Sequence, residues 1–291
     1  MRPLAETSDQ DDAVTIESGQ RADRLAVGVS RVPGPLRRTV TEVGQVGQLF
    51  VQLVYTAVRN PVGYWAQVRD EAYSMLRYSY TATLIAVAGF CFLIANLAYN
   101  LLVTIGAEHR ASTYNVMAVV REIAPFVTSM AVAGVVGTAL TADLGARRIR
   151  EELDAMKVLG IDAVRDLVLP RVIAVTGMVV LFNVIATVIG VIMGLIVTTK
   201  MGEGSQGAYL ANFLAIMTVP EVINALAKTA YTGLFIGVVC AHKGLTARGG
   251  SEGVGRAVNE AVVLCFAAIW IFNFVFNTIT LGLNPEMLVS R

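Results

Sequence analysis

The sequence predicts an all-α integral membrane protein: an N-terminal interfacial helix, five transmembrane helices and a cytoplasmic helix between the second and third of them. Three observations predict it. Of the 291 residues, 55% are apolar and only 15% are charged, where a soluble domain carries about 25% charge. The mean hydropathy is +0.62. The apolar residues also gather into long runs that are nearly free of charge. Disordered, collagen-like and disulfide-scaffold classes fail on these numbers. A net charge of +1 excludes a nucleic-acid binder.

The N-terminal part is polar. Residues 1–38 carry Asp9, Asp11, Asp12, Glu17 and Asp23 and no apolar run of the signal-peptide kind, so a flexible cytoplasmic tail is expected. Residues 39–79 read as interfacial amphipathic helices. Gln45, Gln48, Gln52 and Arg59 form a polar stripe, and Val43, Val46, Phe50, Leu53 and Ala57 form the opposite face. Pro61 breaks this helix. A second piece from Tyr64 to Tyr78 mixes Trp65, Tyr73 and Tyr78 with Arg69, Asp70, Glu71 and Arg77, which suits the headgroup level.

Residues 80–291 form the membrane domain. Between Arg77 and Glu108 lie 30 uncharged residues; Ile123–Ala142 gives 20 and Val172–Thr199 gives 28. Between Val222 and His242 the only formal charge is Lys228, and Ala261–Pro285 adds 25 uncharged residues. About 20 apolar residues cross the hydrocarbon core. The spans are therefore placed at about 80–104, 116–142, 168–199, 220–241 and 258–283. Gly204–Pro220 is read as an external loop with a short helix. With the N-terminus inside, 18 Lys and Arg residues face the cytoplasm and 3 face outward. That bias sets the N-terminus in and the C-terminus out.

The cysteines Cys91, Cys240 and Cys265 are odd in number and sit in apolar stretches, so they read as small buried hydrophobes. His109 and His242 have no partners at ligand spacing, and no metal site is expected. No nucleophile–base set falls on one face. Glu151 and Glu152 are adjacent and point apart on a helix. No catalytic site is expected. The sequence holds no G-x-x-x-x-G-K-[ST], so nothing in it would cradle ATP phosphates. Gly249, Gly250, Gly253 and Gly255 follow a span rather than a strand and read as a tight hairpin.

The segment ADLGARRIREELDAMKVLGIDAVRDLVLPR, residues 142–171, is dense in charge. It carries Arg147, Arg148, Arg150, Glu151, Glu152, Asp154 and Lys157. Ile149, Leu153, Met156 and Leu159 recur at helical spacing, with Gly145 before the helix and Gly160 ending it. Two readings stand. The helix rests on headgroups, or its apolar ridge flanked by both charge signs docks a protein. Inside the spans, Arg121, Glu122, Glu221 and Lys228 are costly charges that should face the interior and pair. They form an ion-pair lock between spans, a polar wall that meets lipid headgroups, or both. Ala133/Gly137, Gly190/Gly194 and Gly233/Gly237 allow close helix approach, within the chain or at a dimer seam. Phe90, Ile94, Leu97 and Leu101 form one apolar face of the first span, for packing or lipid contact.

The block REIAPFVTSMAVAGVVGTALTADLG, residues 121–145, followed by EELDAMKVLGIDAVRDLVLPR, resembles the signature of the MlaE/YrbE permease family. INALAKT at 223–229 and SEGVGRAVNEAVV at 251–263 extend the resemblance, which spans about residues 40–283. The tail and the mixed-charge segment are most similar to actinobacterial YrbE proteins of Mce complexes, and to their B-type member.

The resemblance implies a permease subunit of an ABC transporter that moves lipids or other hydrophobic acyl compounds. It implies that Arg147, Arg148, Glu151, Glu152, Asp154, Met156 and Leu159 couple to a separate cytoplasmic ATPase, which holds ATP and Mg. It implies a second, related permease subunit, an extracytoplasmic Mce-type shuttle, and import across a bacterial cytoplasmic membrane. Phe90, Ile94, Leu97 and Leu101 would then help wall a lipid cavity. Where this chain has Asn273, many members of the family carry an acid, and Asn273 joins Arg121, Glu122 and Lys228 as a substrate-path candidate. A proton-driven secondary transporter and a non-transporting membrane scaffold are the alternative readings.

Overall fold

The computed structural model describes residues 34–59, 63–202 and 204–283. These residues form helices and connections, with no strand among them. In chain order the helices are α1 (Gly34–Arg59), α2 (Trp65–Thr104), α3 (Glu108–Ile149), α4 (Glu152–Val158), α5 (Val164–Met201), α6 (Gln206–Ile216), α7 (Val219–Leu245) and α8 (Gly250–Leu283). Helices α2, α3, α5, α7 and α8 are long and apolar enough to cross a membrane. The protein is an all-α integral membrane protein.

Several boundaries differ from the sequence expectation. Most of the expected tail, together with Pro61 and the C-terminus beyond residue 283, lies outside the described residues. Helix α1 begins at Gly34, so the last five residues assigned to the tail are helical. The second amphipathic piece and the first span are one helix of 40 residues. At 1.5 Å per residue it is about 60 Å long, twice the roughly 30 Å hydrocarbon core. No proline or glycine stands between Trp65 and Ala88 to stop it. The boundary drawn at residue 80 therefore falls inside a continuous rod. Helix α8 likewise starts at Gly250, eight residues before the expected span, because the charged turn holding Glu252 and Arg256 belongs to the same helix. The short helix expected within residues 204–220 is present as α6.

Helix α3 is the centre of the bundle. It packs against α2, α5, α7 and α8, while α5 packs between α2 and α7. More than half of its apolar stretch is buried, against 11% for α8. Val87 and Cys91 of α2, Val119, Ala124 and Val127 of α3 and Ala186 of α5 form one core cluster. On α8, Phe272 is held edge-to-face by Tyr231 at 4.9 Å and Phe235 at 4.8 Å, which ties it to α7. Three other side chains of α8, Trp270, Ile271 and Phe274, point outward.

The small-residue pairs serve this intrachain packing. A Cβ on Gly233 would lie 3.0 Å from the Thr176 Cα, and one on Gly237 would lie 3.2 Å from the Val172 Cα. Backbone therefore meets backbone where α7 crosses α5. A Cβ on Gly137 would lie 2.8 Å from the Cys240 sulfur, and Gly190 is closed off by Val119.

Gly237→Leu should destabilise the fold by about 3 kcal/mol, the upper end for overpacking, because the obstruction is backbone. Gly89→Leu, where nothing lies within 4 Å, should leave it unchanged. The thermal unfolding midpoints of the two purified variants in one detergent check this.

Candidate functional site

The first site is a polar cluster between α3, α7 and α8. Val116–Ile123, the stretch of α3 that carries Arg121 and Glu122, is wound as a wide π turn, a device frequent at functional sites. Pro125 follows it. Proline has no N–H, so the Arg121 carbonyl four residues earlier loses its helical donor. The Lys228 ammonium donates to that carbonyl at 3.3 Å. The same ammonium reaches the Glu122 carboxylate at 3.1 Å and the Asn277 carbonyl oxygen at 2.9 Å. All three of its donors are used.

Glu122 is the hub. Besides Lys228, its Oε2 accepts from the Asn273 amide at 3.1 Å and the Asn277 amide at 2.8 Å. Arg121 makes a fork to Glu221, with Nε donating to Oε2 at 3.1 Å and Nη2 donating to Oε1. The two cations and two anions cancel. Lys228 and Glu221 are buried, while the Glu122 side chain keeps 31% exposure. The structure thus brings together all four predicted residues of this group, Arg121, Glu122, Lys228 and Asn273. It assigns Glu221, already among the charges expected to pair, to Arg121, and it adds Asn277, which the sequence analysis missed. Asn277 stands one turn after Asn273, and that spacing was its only sequence signal.

Asn273 departs from the acid that the resemblance leads one to expect. The charge balance explains the departure here. Lys228 is already matched by Glu122, so an acid at 273 would set a second carboxylate about one hydrogen bond from the first.

The second site lies at the other end of α3. The expected single helix from Arg147 to Leu159 is broken. Helix α3 runs through Gly145, which packs against Val254 of α8 and Ala247 of the α7–α8 connection, and ends at Ile149. Glu151 then takes φ +61°, a left-handed conformation that a residue with a Cβ rarely adopts. Arg147 and Arg148 therefore belong to the end of α3, and Glu152, Asp154 and Met156 to α4. Gly160, at φ +74°, ends the segment as expected.

Ion pairs clamp this corner. Arg148 holds both oxygens of Asp154 at 2.9 and 3.0 Å, and Arg150 holds Glu152 at 2.7 Å. Arg147 joins Glu152 at 3.6 Å and Asp143 at 3.1 Å. Asp143 continues to Arg171 of α5 at 2.8 Å, and Arg171 to Glu71 of α2 at 2.9 Å. Asp143, Arg171 and Glu71 were not read as site residues. The partners lie up to 100 positions apart, beyond the reach of local patterning. Beyond the corner, Leu153 is buried and Met156 half-buried, but Val158 and Leu159 are 88% and 73% exposed and Ile161 is exposed too. A bare apolar tip thus stands beside a ring of matched charges.

The stripe Phe90, Ile94, Leu97 and Leu101 faces out of the bundle. Phe90, Leu97 and Leu101 are exposed and Ile94 is half-buried, while Val87, Cys91, Ala95 and Ala98 turn inward. The stripe opens on the outside of the chain rather than onto a space within it.

A family model described as Permease MlaE matches residues 68–279. The chain belongs to the MlaE permease family. Among its relatives is a probable ABC transporter permease protein of Rickettsia bellii, 27% identical over 82% of this chain and 93% of the relative. A probable ABC transporter permease protein of Synechocystis is 33% identical over 54% of this chain and 60% of its own length. The chloroplast protein trigalactosyldiacylglycerol 1 of Arabidopsis thaliana is 29% identical over 54% of this chain and 45% of its own length. As an MlaE-family permease, the chain is a multi-pass membrane protein of the transporter class. Both sites lie inside the matched region.

Lys228→Met should cost about 3 kcal/mol, the low end for breaking a buried pair, because Glu122 keeps some solvent access. Glu122→Gln with Lys228→Met should recover most of that loss. A double-mutant cycle on thermal unfolding in detergent checks the coupling.

Proposed function

We propose that this chain is the membrane subunit of an ATP-driven lipid transporter, docked through α4 to a separate ABC ATPase. The observation that carries the reading is the bare tip of α4. Among the described residues, nothing covers Val158, Leu159 and Ile161. The surrounding pairs Arg148–Asp154 and Arg150–Glu152 would give a partner groove its register. The relatives named as ABC transporter permeases support an ATPase partner, which would hold ATP and Mg.

Lipid is the cargo we favour. One relative bears the name of a galactolipid. The outward apolar stripe of α2 and the apolar face of α8 suit a cavity closed by a second, related permease subunit, since a dry apolar wall keeps acyl chains from water. The cluster at Glu122 would meet the headgroup, with its partly exposed carboxylate and two asparagine amides. The excess of Lys and Arg on the segments beside α4 supports a cytoplasmic N-terminus and an extracytoplasmic C-terminus in a bacterial cytoplasmic membrane. Import through an Mce-type shuttle completes the reading. The intramembrane charges gather in one balanced cluster rather than a row from end to end, which favours ATP over protons as the driving force.

Val158→Asp with Leu159→Asp should leave the fold intact, because both side chains are already exposed. It should abolish co-purification of the ATPase and lipid uptake. Affinity purification with mass spectrometry, beside an uptake assay in cells, reads both. An undiminished ATPase yield and normal uptake from the double variant would sink the docking role and leave the scaffold reading.

A further inference from the structure

At the α4 end of the bundle, α2, α3 and α5 border a half-open cavity of about 280 Å3 lined by Glu71, Ser74, Tyr78, Asp143 and Arg171, among others. Its position is marked in the sequence. Tyr78 opens the uncharged run of α2, Asp143 closes that of α3, and Arg171 immediately precedes that of α5. Polar residues from three helices thus stand together where three apolar stretches begin or end. That is the headgroup level of a bilayer, where tyrosine and arginine concentrate. Along α3, Asp143 lies 21 residues from Glu122, about 30 Å of helix. The cavity is therefore separate from the cluster around Lys228.

Arg171 is the unexplained group. Its side chain is 8% exposed, with Nε on Glu71 and Nη2 on Asp143, while Nη1 is buried without a hydrogen-bond partner. A buried guanidinium N–H without an acceptor is costly. The two carboxylates are no bar to an anion. Glu71 and Asp143 are balanced by Arg171 and by Arg147, which also holds Asp143 at 3.1 Å. The volume far exceeds the roughly 10–15 Å3 of cavity space that a single water needs.

We propose that this cavity binds the zwitterionic headgroup of a phospholipid from the adjoining leaflet. The phosphate accepts from the hydroxyls of Ser74 and Tyr78 and from Arg171 Nη1, which turns from its closed-off position toward the pocket to meet it. The ammonium donates to the outward oxygens of Glu71 and Asp143. Phosphate and ammonium in one headgroup match a site whose own charges are balanced and separated. A bound headgroup would also join the ion-pair chain Glu71–Arg171–Asp143–Arg147–Glu152, and so tie the lipid to the corner that carries α4. None of this depends on the transport reading.

The test uses the full chain, delipidated in detergent, with native mass spectrometry and thermal unfolding as readouts. The probes are short-chain phosphatidylethanolamine, short-chain phosphatidylglycerol and inorganic phosphate. Phosphatidylethanolamine should be retained and should raise the unfolding midpoint; the other two should do so weakly. Ser74→Ala and Tyr78→Phe, both at exposed positions, should keep the lipid-free midpoint and each weaken retention about ten-fold, the worth of one hydrogen bond to a charged group. Arg171→Lys, which keeps the charge but not the fork, should weaken it further. Equal stabilisation by inorganic phosphate would overturn the lipid assignment in favour of a free anion. Equal or better retention of phosphatidylglycerol would overturn the ammonium half. Retention unchanged in Ser74→Ala, Tyr78→Phe and Arg171→Lys would overturn the site.

Discussion

The architecture depends on one constraint: a charge placed between apolar helices must find its opposite inside the protein. Arg121 and Glu122 are adjacent on α3 and cannot satisfy each other. They turn to different partners, Arg121 to Glu221 and Glu122 to Lys228. Both partners are on α7, two turns apart, so the pair of bridges fixes the rotation and the register of α7 against α3 at once. Helix α8 joins the same cluster through amides, because Asn273 and Asn277 add donors to Glu122 and an acceptor to Lys228 without adding charge. Neutrality of the cluster is what makes asparagine the fitting residue there.

Proline makes the cluster possible. Pro125 removes one donor from the helix ladder, and the turn before it widens to the π form. The orphaned carbonyl of Arg121 gives Lys228 its backbone acceptor. In a regular α-helix that carbonyl would accept from its own backbone. The irregular winding of α3 is thus tied to the polar chemistry it presents.

Much of the fold was legible because the bilayer imposes a simple rule. The five uncharged runs fall on the five helices long and apolar enough to cross a membrane. The same rule does not mark where the helices end. It marks the apolar part of a helix, and helices continue past it: Lys243 of α7 lies beyond its expected span, and it pairs with Glu260, in the charged first turns of α8, at 2.8 Å. The Lys228 cluster was half legible. Each buried charge announced a partner, but only the fold could assign Arg121 to Glu221, and Asn277 carries no charge to announce itself. The corner at Glu151 was not legible at all. No glycine or proline marks it, and the side-chain pairs that hold it, Arg148–Asp154 and Arg150–Glu152, read equally well as ordinary helix-surface charges. Arg171 escaped for another reason. It stands just outside an apolar run, and nothing in the sequence announces that it is buried between carboxylates from α2 and α3.

These features place the two polar sites on one element. Helix α3 carries Arg121 and Glu122 near one end and Asp143 and Arg147 at the other, with an unbroken helical course between them. It is the most buried of the five long helices and touches the other four, so it has little freedom to bend alone. A force on α4 reaches α3 through Arg147–Glu152 and Arg148–Asp154, at a corner where Glu151 already holds an unfavourable backbone conformation. Displacement of α3 along or about its axis moves Glu122 relative to Lys228 and the asparagines, because those sit on α7 and α8. Opening those contacts exposes a carboxylate, two amides and an ammonium together. On the proposed transport reading, a cluster that is balanced when closed and rich in donors and acceptors when opened would suit a headgroup that must be held and then released. Strong, unbalanced charge at this depth would hold it too long.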